Sequence, residues 1–534
     1  MYSKTRVLSC LLALFVAASA DAQIESSGLD DVSPWTVGFL EADQQGFPPN
    51  LWTTSDPDRL LDLLGTIETQ NLSPGEHALL RQILYSPGNP PEGDKVNDLM
   101  AERARLLLEL GEADAAVTLL PLVQTYVGEL DPEETAIDLL LGLGNHESAC
   151  AASESEAREG AFWAKLRATC FALDENSQGA ELALELAISE GVDDPWFYEA
   201  VFAAVGLAPD PPSARYDSGI ALTLSKKAGL PVPTDAIAGS RLDLTAAIAQ
   251  STELQPELRV LAAGLAAEKG LIGADEHRAT YEALLAQEAF TPRSELDGAI
   301  TANWVGEAST ETKSRLLNAA LETAEGHISR YHAVSRLLLE DINALDKDNA
   351  SLRYGLAFAR ANLAAGDVAT AGQWANAVSE NSESNDNAFE VAWSLGLMRL
   401  ADADAEVASA NELIARLIDS TDSPAKQAAL QRLLVLWSAF DLELGSEGRL
   451  IVASEPADAG APISPWLLRG LRAAAKDGAS AELSLQVLAI TSGDPSTIQA
   501  ADLAQIIEAL RLAGAEDAAR QLALESTGFW KREL

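Results

Sequence analysis

Leu352-Arg-Tyr-Gly-Leu-Ala-Phe-Ala-Arg-Ala-Asn-Leu-Ala-Ala-Gly366-Asp-Val-Ala-Thr-Ala-Gly-Gln-Trp-Ala-Asn-Ala-Val378 holds two helical patterns separated by one glycine. Before Gly366, the residues Leu352, Leu356, Ala359 and Leu363 recur every three or four positions, which sets them along one side of an α-helix. After it, Ala371, Trp374, Ala375 and Val378 do the same. Each pattern has one apolar stripe to bury, and pairing the two helices covers both. The unit recurs around Gly111, Gly478 and Gly514. Seven residues before the four glycines stand Ala104, Ala359, Leu471 and Ile507. Five after them stand Ala116, Ala371, Leu483 and Ala519, and nine after them Leu120, Ala375, Val487 and Ala523. The small residues at these positions let two helices approach closely, with the glycine as the turn.

Outward from these units, long Ala/Leu/Glu-rich segments dominate and strand signals are almost absent. Asp56-Pro57-Asp58, Asp131-Pro132-Glu133-Glu134 and Asp193-Asp194-Pro195 each place a capping carboxylate beside a first-turn proline. The expected fold is all-α, an α-solenoid of stacked antiparallel helix pairs. The segments Ala104-Arg-Leu-Leu-Leu-Glu-Leu-Gly111 with Glu-Ala-Asp-Ala-Ala116, and Ala359-Arg-Ala-Asn-Leu-Ala-Ala-Gly366 with Asp-Val-Ala-Thr-Ala371, resemble the turn region of tetratricopeptide-type α-solenoids. Gly478 and Gly514 are 36 residues apart, close to that family's period. The large aromatic of the family's first helix is missing from most units, so the resemblance implies divergent repeats. A second set of segments, Trp163-Ala-Lys-Leu-Arg-Ala-Thr-Cys170, Gly191-Val-Asp-Asp-Pro-Trp-Phe197, Ala221-Leu-Thr-Leu-Ser225 and Leu230-Pro-Val-Pro-Thr-Asp235, is similar to a group of uncharacterised exported proteins of alphaproteobacteria. That resemblance implies a compartment and a source, not an activity.

The composition agrees with a folded chain. Of 534 residues, 47% are hydrophobic and 22% charged, which is ample for a core. The formal net charge is −44, so phosphate backbones and anionic membrane surfaces are repelled, and nucleic-acid binding is not expected. Lys4 and Arg6 precede an apolar run from Val7 to Ala18, and Ala20-Asp21-Ala22 follows with small residues at both cleavage-specifying positions. This is the order of a secretory signal peptide over residues 1–22, with cleavage expected after Ala22. It predicts a periplasmic or secreted protein with no integral membrane segment after cleavage. Cleavage would leave two cysteines, Cys150 and Cys170. In an exported chain these are expected to pair, against the alternative of two separate buried thiols. On one straight helix they would lie about 30 Å apart, so a bond requires the chain to fold back, through Gly160 and the polar residues around Ser153. Proline-rich breaks at Ser86–Asp94, Leu207–Ser213 and Ala453–Pro462 divide the remainder into an N-terminal capping segment (23–95), helical repeats with the cysteine pair (96–206), a helical-repeat body (207–452) and C-terminal repeats (453–534).

Motifs that carry chemistry are scarce. No P-loop, Gly-x-Ser-x-Gly elbow or HExxH pattern occurs. His77, His146, His277, His327 and His332 are scattered and read as surface or satisfied histidines rather than metal ligands. Asp341 to Asp348 is acidic, but neither EF-hand register fits, and it reads as a polar helix connection. Most of the ten tryptophans sit in apolar helical patterns; Trp35 and Trp52 precede the first helix and are expected to cap the end of the array. No catalytic, metal or cofactor residue is nominated. The expectation is a non-enzymatic scaffold that binds proteins of the bacterial cell envelope, with a glycan-binding or glycan-acting protein on an α-helical superhelix as the alternative.

Overall fold

The computed structural model describes residues 33–534 except 42, 43, 45, 155–157, 234, 288–289, 382–386, 458–459 and 532–534. The signal peptide read over residues 1–22 lies outside the described residues. The fold is all-α, with no strand among the described residues. Pro34–Leu534 forms one compact unit, which contains all three proline-rich breaks.

The helices run in order α1 (Pro57–Gly65), α2 (Pro74–Tyr85), α3 (Val96–Leu110), α4 (Ala113–Leu119), α5 (Pro132–Gly142), α6 (His146–Ser153), α7 (Ala161–Leu173), α8 (Ser177–Ser189) and α9 (Pro195–Ala204). There follow α10 (Gly219–Lys227), α11 (Leu242–Gln250), α12 (Pro256–Glu268), α13 (Ala274–Leu285), α14 (Glu295–Trp304), α15 (Thr310–Ala324), α16 (Ile328–Asn343), α17 (Asn349–Leu352) and α18 (Gly355–Ala365). The last are α19 (Val368–Asn381), α20 (Ala388–Ala401), α21 (Ala410–Asp419), α22 (Pro424–Ala439), α23 (Gly445–Val452), α24 (Pro465–Asp477), α25 (Ser480–Thr491), α26 (Ala500–Leu512) and α27 (Glu516–Ser526). Consecutive helices such as α7 and α8, α11 and α12, and α18 and α19 pack on each other, as in an α-solenoid.

The local chemistry explains the boundaries. Asp56, Asp131 and Asp194 cap α1, α5 and α9: their carboxylates accept the backbone N–H of Arg59 at 3.1 Å, of Glu133 and Glu134 at 2.9 and 3.1 Å, and of Phe197 at 3.2 Å. A proline sits at the first helical position each time, where the missing N–H costs nothing. Gly111, Gly366 and Gly478 end α3, α18 and α24 in the left-handed conformation, with φ of 84°, 88° and 73°. Gly514, φ 85°, turns the chain between α26 and α27. Every residue at the three recurring register positions around these glycines is at most 1% exposed.

The unit around Gly366 departs from the sequence reading at one point. Leu352 does not continue the stripe of α18; it closes the four-residue α17, and Arg353–Tyr354 turn the chain before α18 begins. The break positions Gly355 against α19, where a Cβ atom would stand 2.4 Å from the Val378 side chain. Close approach of the two helices therefore rests on Gly355 as well as on the alanines.

The array also closes on itself. Helices α1 and α2 pack against α25, and α2 packs against α27. Leu51 accepts a backbone hydrogen bond from Ala481, and the Thr54 hydroxyl donates to the Gly478 carbonyl at 3.1 Å. Trp35 and Trp52 are 3% and 1% exposed and meet edge to face at 5.7 Å in this region. Buried Arg103 ties the N-terminal segment down by donating to the carbonyls of Leu84 and Val37 at 2.8 and 2.9 Å. One contiguous hydrophobic core runs from Trp35 to Trp530.

Candidate functional site

Cys150 on α6 and Cys170 on α7 meet with sulfurs 1.97 Å and Cα atoms 5.7 Å apart. The chain folds back between them, with Gly160 at φ 111° just ahead of α7. The acidic connection around Asp341 is engaged internally: its carboxylate accepts from Trp304 Nε1 at 2.8 Å and pairs with Arg278 at 3.3 Å. Asp348 caps α17. Among the described residues no group of three or more His, Cys, Asp or Glu side chains is arranged to hold a metal ion.

The histidines are less scattered in space than in sequence. His77 and His332 lie on the wall of one cavity of about 790 Å³. Its walls come from α2, the turn between α12 and α13, α16 and α27, with Leu40 and Gln44 from the N-terminal segment. Each wall helix contributes a pair spaced i, i+4 on one face: His77 and Arg81, His332 and Arg336, Asp517 and Gln521. Lys269 reaches in from the α12–α13 turn and donates to the Gln70 carbonyl at 2.8 Å.

Several charges of this cavity are paired off by neighbours. Arg81 is neutralised by Glu112, 2.6 Å away, and lies over the Tyr85 ring at 4.1 Å. Burial works against its charge, but Glu112 and Tyr85 hold its pKa above the ordinary value. Glu268 is neutralised by Arg330 at 2.8 Å. Lys269 and Arg336 then face the exposed carboxylate of Asp517. Arg336 is solvent-exposed and has no hydrogen-bond or ion-pair partner among the described residues, and partial desolvation lowers its pKa. Burial also lowers Lys269. His332 is 7% exposed, and both ring nitrogens are buried without a partner. Burial, helped by Arg336, pushes its pKa down to about 3. His77 is pushed down to about 4 by burial and by Lys269 and Arg81, and its Nε2 is also buried without a partner. Both rings are neutral at pH 7, and His77 spends one ring nitrogen on the Leu110 backbone.

Beside the cavity, two carboxylates close the array. Glu76 on α2 accepts from the Ser73 N–H at 2.8 Å, from the Gly493 N–H at 3.0 Å and from the Thr491 hydroxyl. Glu525 on α27 accepts from the Ser73 hydroxyl at 2.5 Å and from the Gly75 N–H at 2.7 Å. Glu525 is fully buried, and burial pushes its carboxyl up to about 8 against the pull of these hydrogen bonds. Its donors are consumed by the seam, so it is a structural carboxylate.

Sequence reasoning missed the cavity because its residues stand more than 400 positions apart along the chain. Only the i, i+4 spacings of His77 with Arg81, His332 with Arg336 and Asp517 with Gln521 carried a local signal. Comparison with family models, curated proteins and solved structures finds no match to this chain.

Proposed function

We propose that the protein is an exported, non-enzymatic helical-repeat scaffold that mediates protein–protein interactions in the bacterial cell envelope. The supporting observation is the outer face of α8. Leu182 and Leu186 are 68% and 41% exposed, one turn apart, and half-exposed Phe171 of α7 packs against Gly179 in the first turn of α8. Soluble chains rarely leave such apolar side chains together without a partner. Cys170, near the end of α7 beside the turn into α8, is bonded to Cys150 of α6. Export rests on the residue pattern from Lys4 to Ala22.

The test is in-cell crosslinking of the tagged protein, followed by mass spectrometry, for the wild type and for Leu182→Glu with Leu186→Glu. A partner captured near stoichiometrically by the wild type and lost in the double variant, with unchanged helical content, is the expected result. Equal capture by both proteins would sink the assignment to α8. The glycan reading is favoured by one feature, Trp466 on α24, which is 80% exposed beside exposed Leu467. Retention on purified peptidoglycan that Trp466→Ala abolishes would support it in place of the scaffold.

A further inference from the structure

We propose that the cavity bounded by α2, α16, α27 and the α12–α13 turn is a binding site for a small polar molecule bearing an oxyanion, a carboxylate or phosphate group. Arg336 and Lys269 carry the charge recognition, and the neutral ring of His332 forms part of the wall. This site is separate from the outer face of α8 and stands or falls without it.

The argument begins with charge. A chain of net charge −44 repels small anions over most of its surface. In this cavity the balance reverses locally: once Arg81 and Glu268 are neutralised by their partners, two cations face one carboxylate. Arg336 is solvent-exposed on the cavity wall and has no partner among the described residues. A guanidinium in that position presents a planar fork of N–H donors that matches two oxygens of a carboxylate or phosphate.

The second observation is independent of charge. His332 is built into the wall with its ring edge against Phe529 at 6.1 Å, and neither ring nitrogen has a partner. A buried polar group left unpaired is costly, and its presence in a folded chain marks a place where another molecule completes the set. A cation is a poor candidate, because Lys269 and Arg336 would repel it. An oxygen-bearing anion satisfies the free guanidinium; the buried imidazole N–H reaches it only once the His332 ring turns toward the cavity. The volume of about 790 Å³ admits a molecule of sugar or nucleotide size and excludes a folded protein. Asp517 and Gln521 on the opposite wall suit the hydroxyl or amine groups of such a molecule.

The experiment is calorimetric titration of the purified full chain with inorganic phosphate, glucose 6-phosphate and glucuronate, with glucose as the uncharged control. Saturable binding of at least one oxyanion probe is expected, with none for glucose. Arg336→Gln should weaken that binding at least tenfold while leaving the unfolding midpoint of the free protein unchanged, and Lys269→Met should weaken it in the same direction. Binding of both phosphates alone assigns the site to phosphate, and of glucuronate alone to carboxylate. Absence of saturable binding by every probe, or equal affinity in Arg336→Gln, overturns the proposal.

Discussion

Glu525 shows how one buried carboxyl ties stability to pH. Its ordinary pKa is 4.5, and in the folded protein burial raises it to about 8. Folding therefore takes up a proton between these values. The stabilisation is fully present below about 4.5, shrinks as pH rises, and is gone above about 8. Glu525→Gln keeps a neutral side chain of the same shape at every pH. The wild type should lose more stability than Glu525→Gln on going from pH 5 to pH 9, and parallel urea-unfolding midpoints would refute the account. Glu525→Ala should cost about 2–4 kcal/mol at pH 5, because the Ser73 hydroxyl and the Gly75 N–H lose their acceptor. Gly493 belongs to the same seam. Its φ is 89°, and a Cβ there would stand 2.1 Å from the Asn71 carbonyl oxygen. Gly493→Ala combines left-handed strain with overpacking and should cost about 2–4 kcal/mol in urea unfolding.

At the level of elements, what was legible in the sequence was what is local. Capping carboxylates, first-turn prolines and the glycines between paired helices depend on neighbours within a few positions, so Asp131, Pro132 and Gly366 could be read directly. Leu352 was misplaced because its spacing fits α18; the break after it is set by the packing of Gly355 on Val378, a tertiary contact that spacing does not report. The same limit hid Asp138 of α5. It accepts the N–H groups of Gly219 and Ile220 at 2.9 and 3.0 Å, capping α10 from another helix, and pairs with Arg241 at 2.7 Å. Asp138→Ala should cost about 2–4 kcal/mol, since it strands those two buried donors and leaves Arg241 with Asp243 alone. Thermal unfolding of the purified variant checks this; a loss below 1 kcal/mol would deny the cap its role. The α6–α7 hairpin has a parallel test. Closing a loop of 20 residues stabilises by about 3 kcal/mol in the chain-entropy model, so replacing both Cys150 and Cys170 by Ser should lower stability by that order.

Across the whole molecule, closure changes the kind of fold this is. In an open solenoid each repeat touches only its neighbours, and ends can fray independently. Here α2 has partners on α25 and α27, so the two ends of the chain share one core. Removing α27 should therefore increase hydrogen exchange in Pro74–Tyr85, at the opposite end of the sequence, while α7 and α8 keep their protection. Loss of protection confined to α26 would show that the ends are energetically separate. The cavity wall would open in the same variant, because Asp517 and Gln521 belong to α27.

The Ser73–Glu525 contact spans 452 positions. Ribosomes add about 5–20 residues per second. The serine is thus made about 23 to 90 seconds before the glutamate it will hold. Throughout that interval the nascent chain carries an uncovered second helix with a capping hydroxyl that has no acceptor across the seam. Closure of the array is consequently timed by the synthesis of α27 rather than by the strength of the first helices.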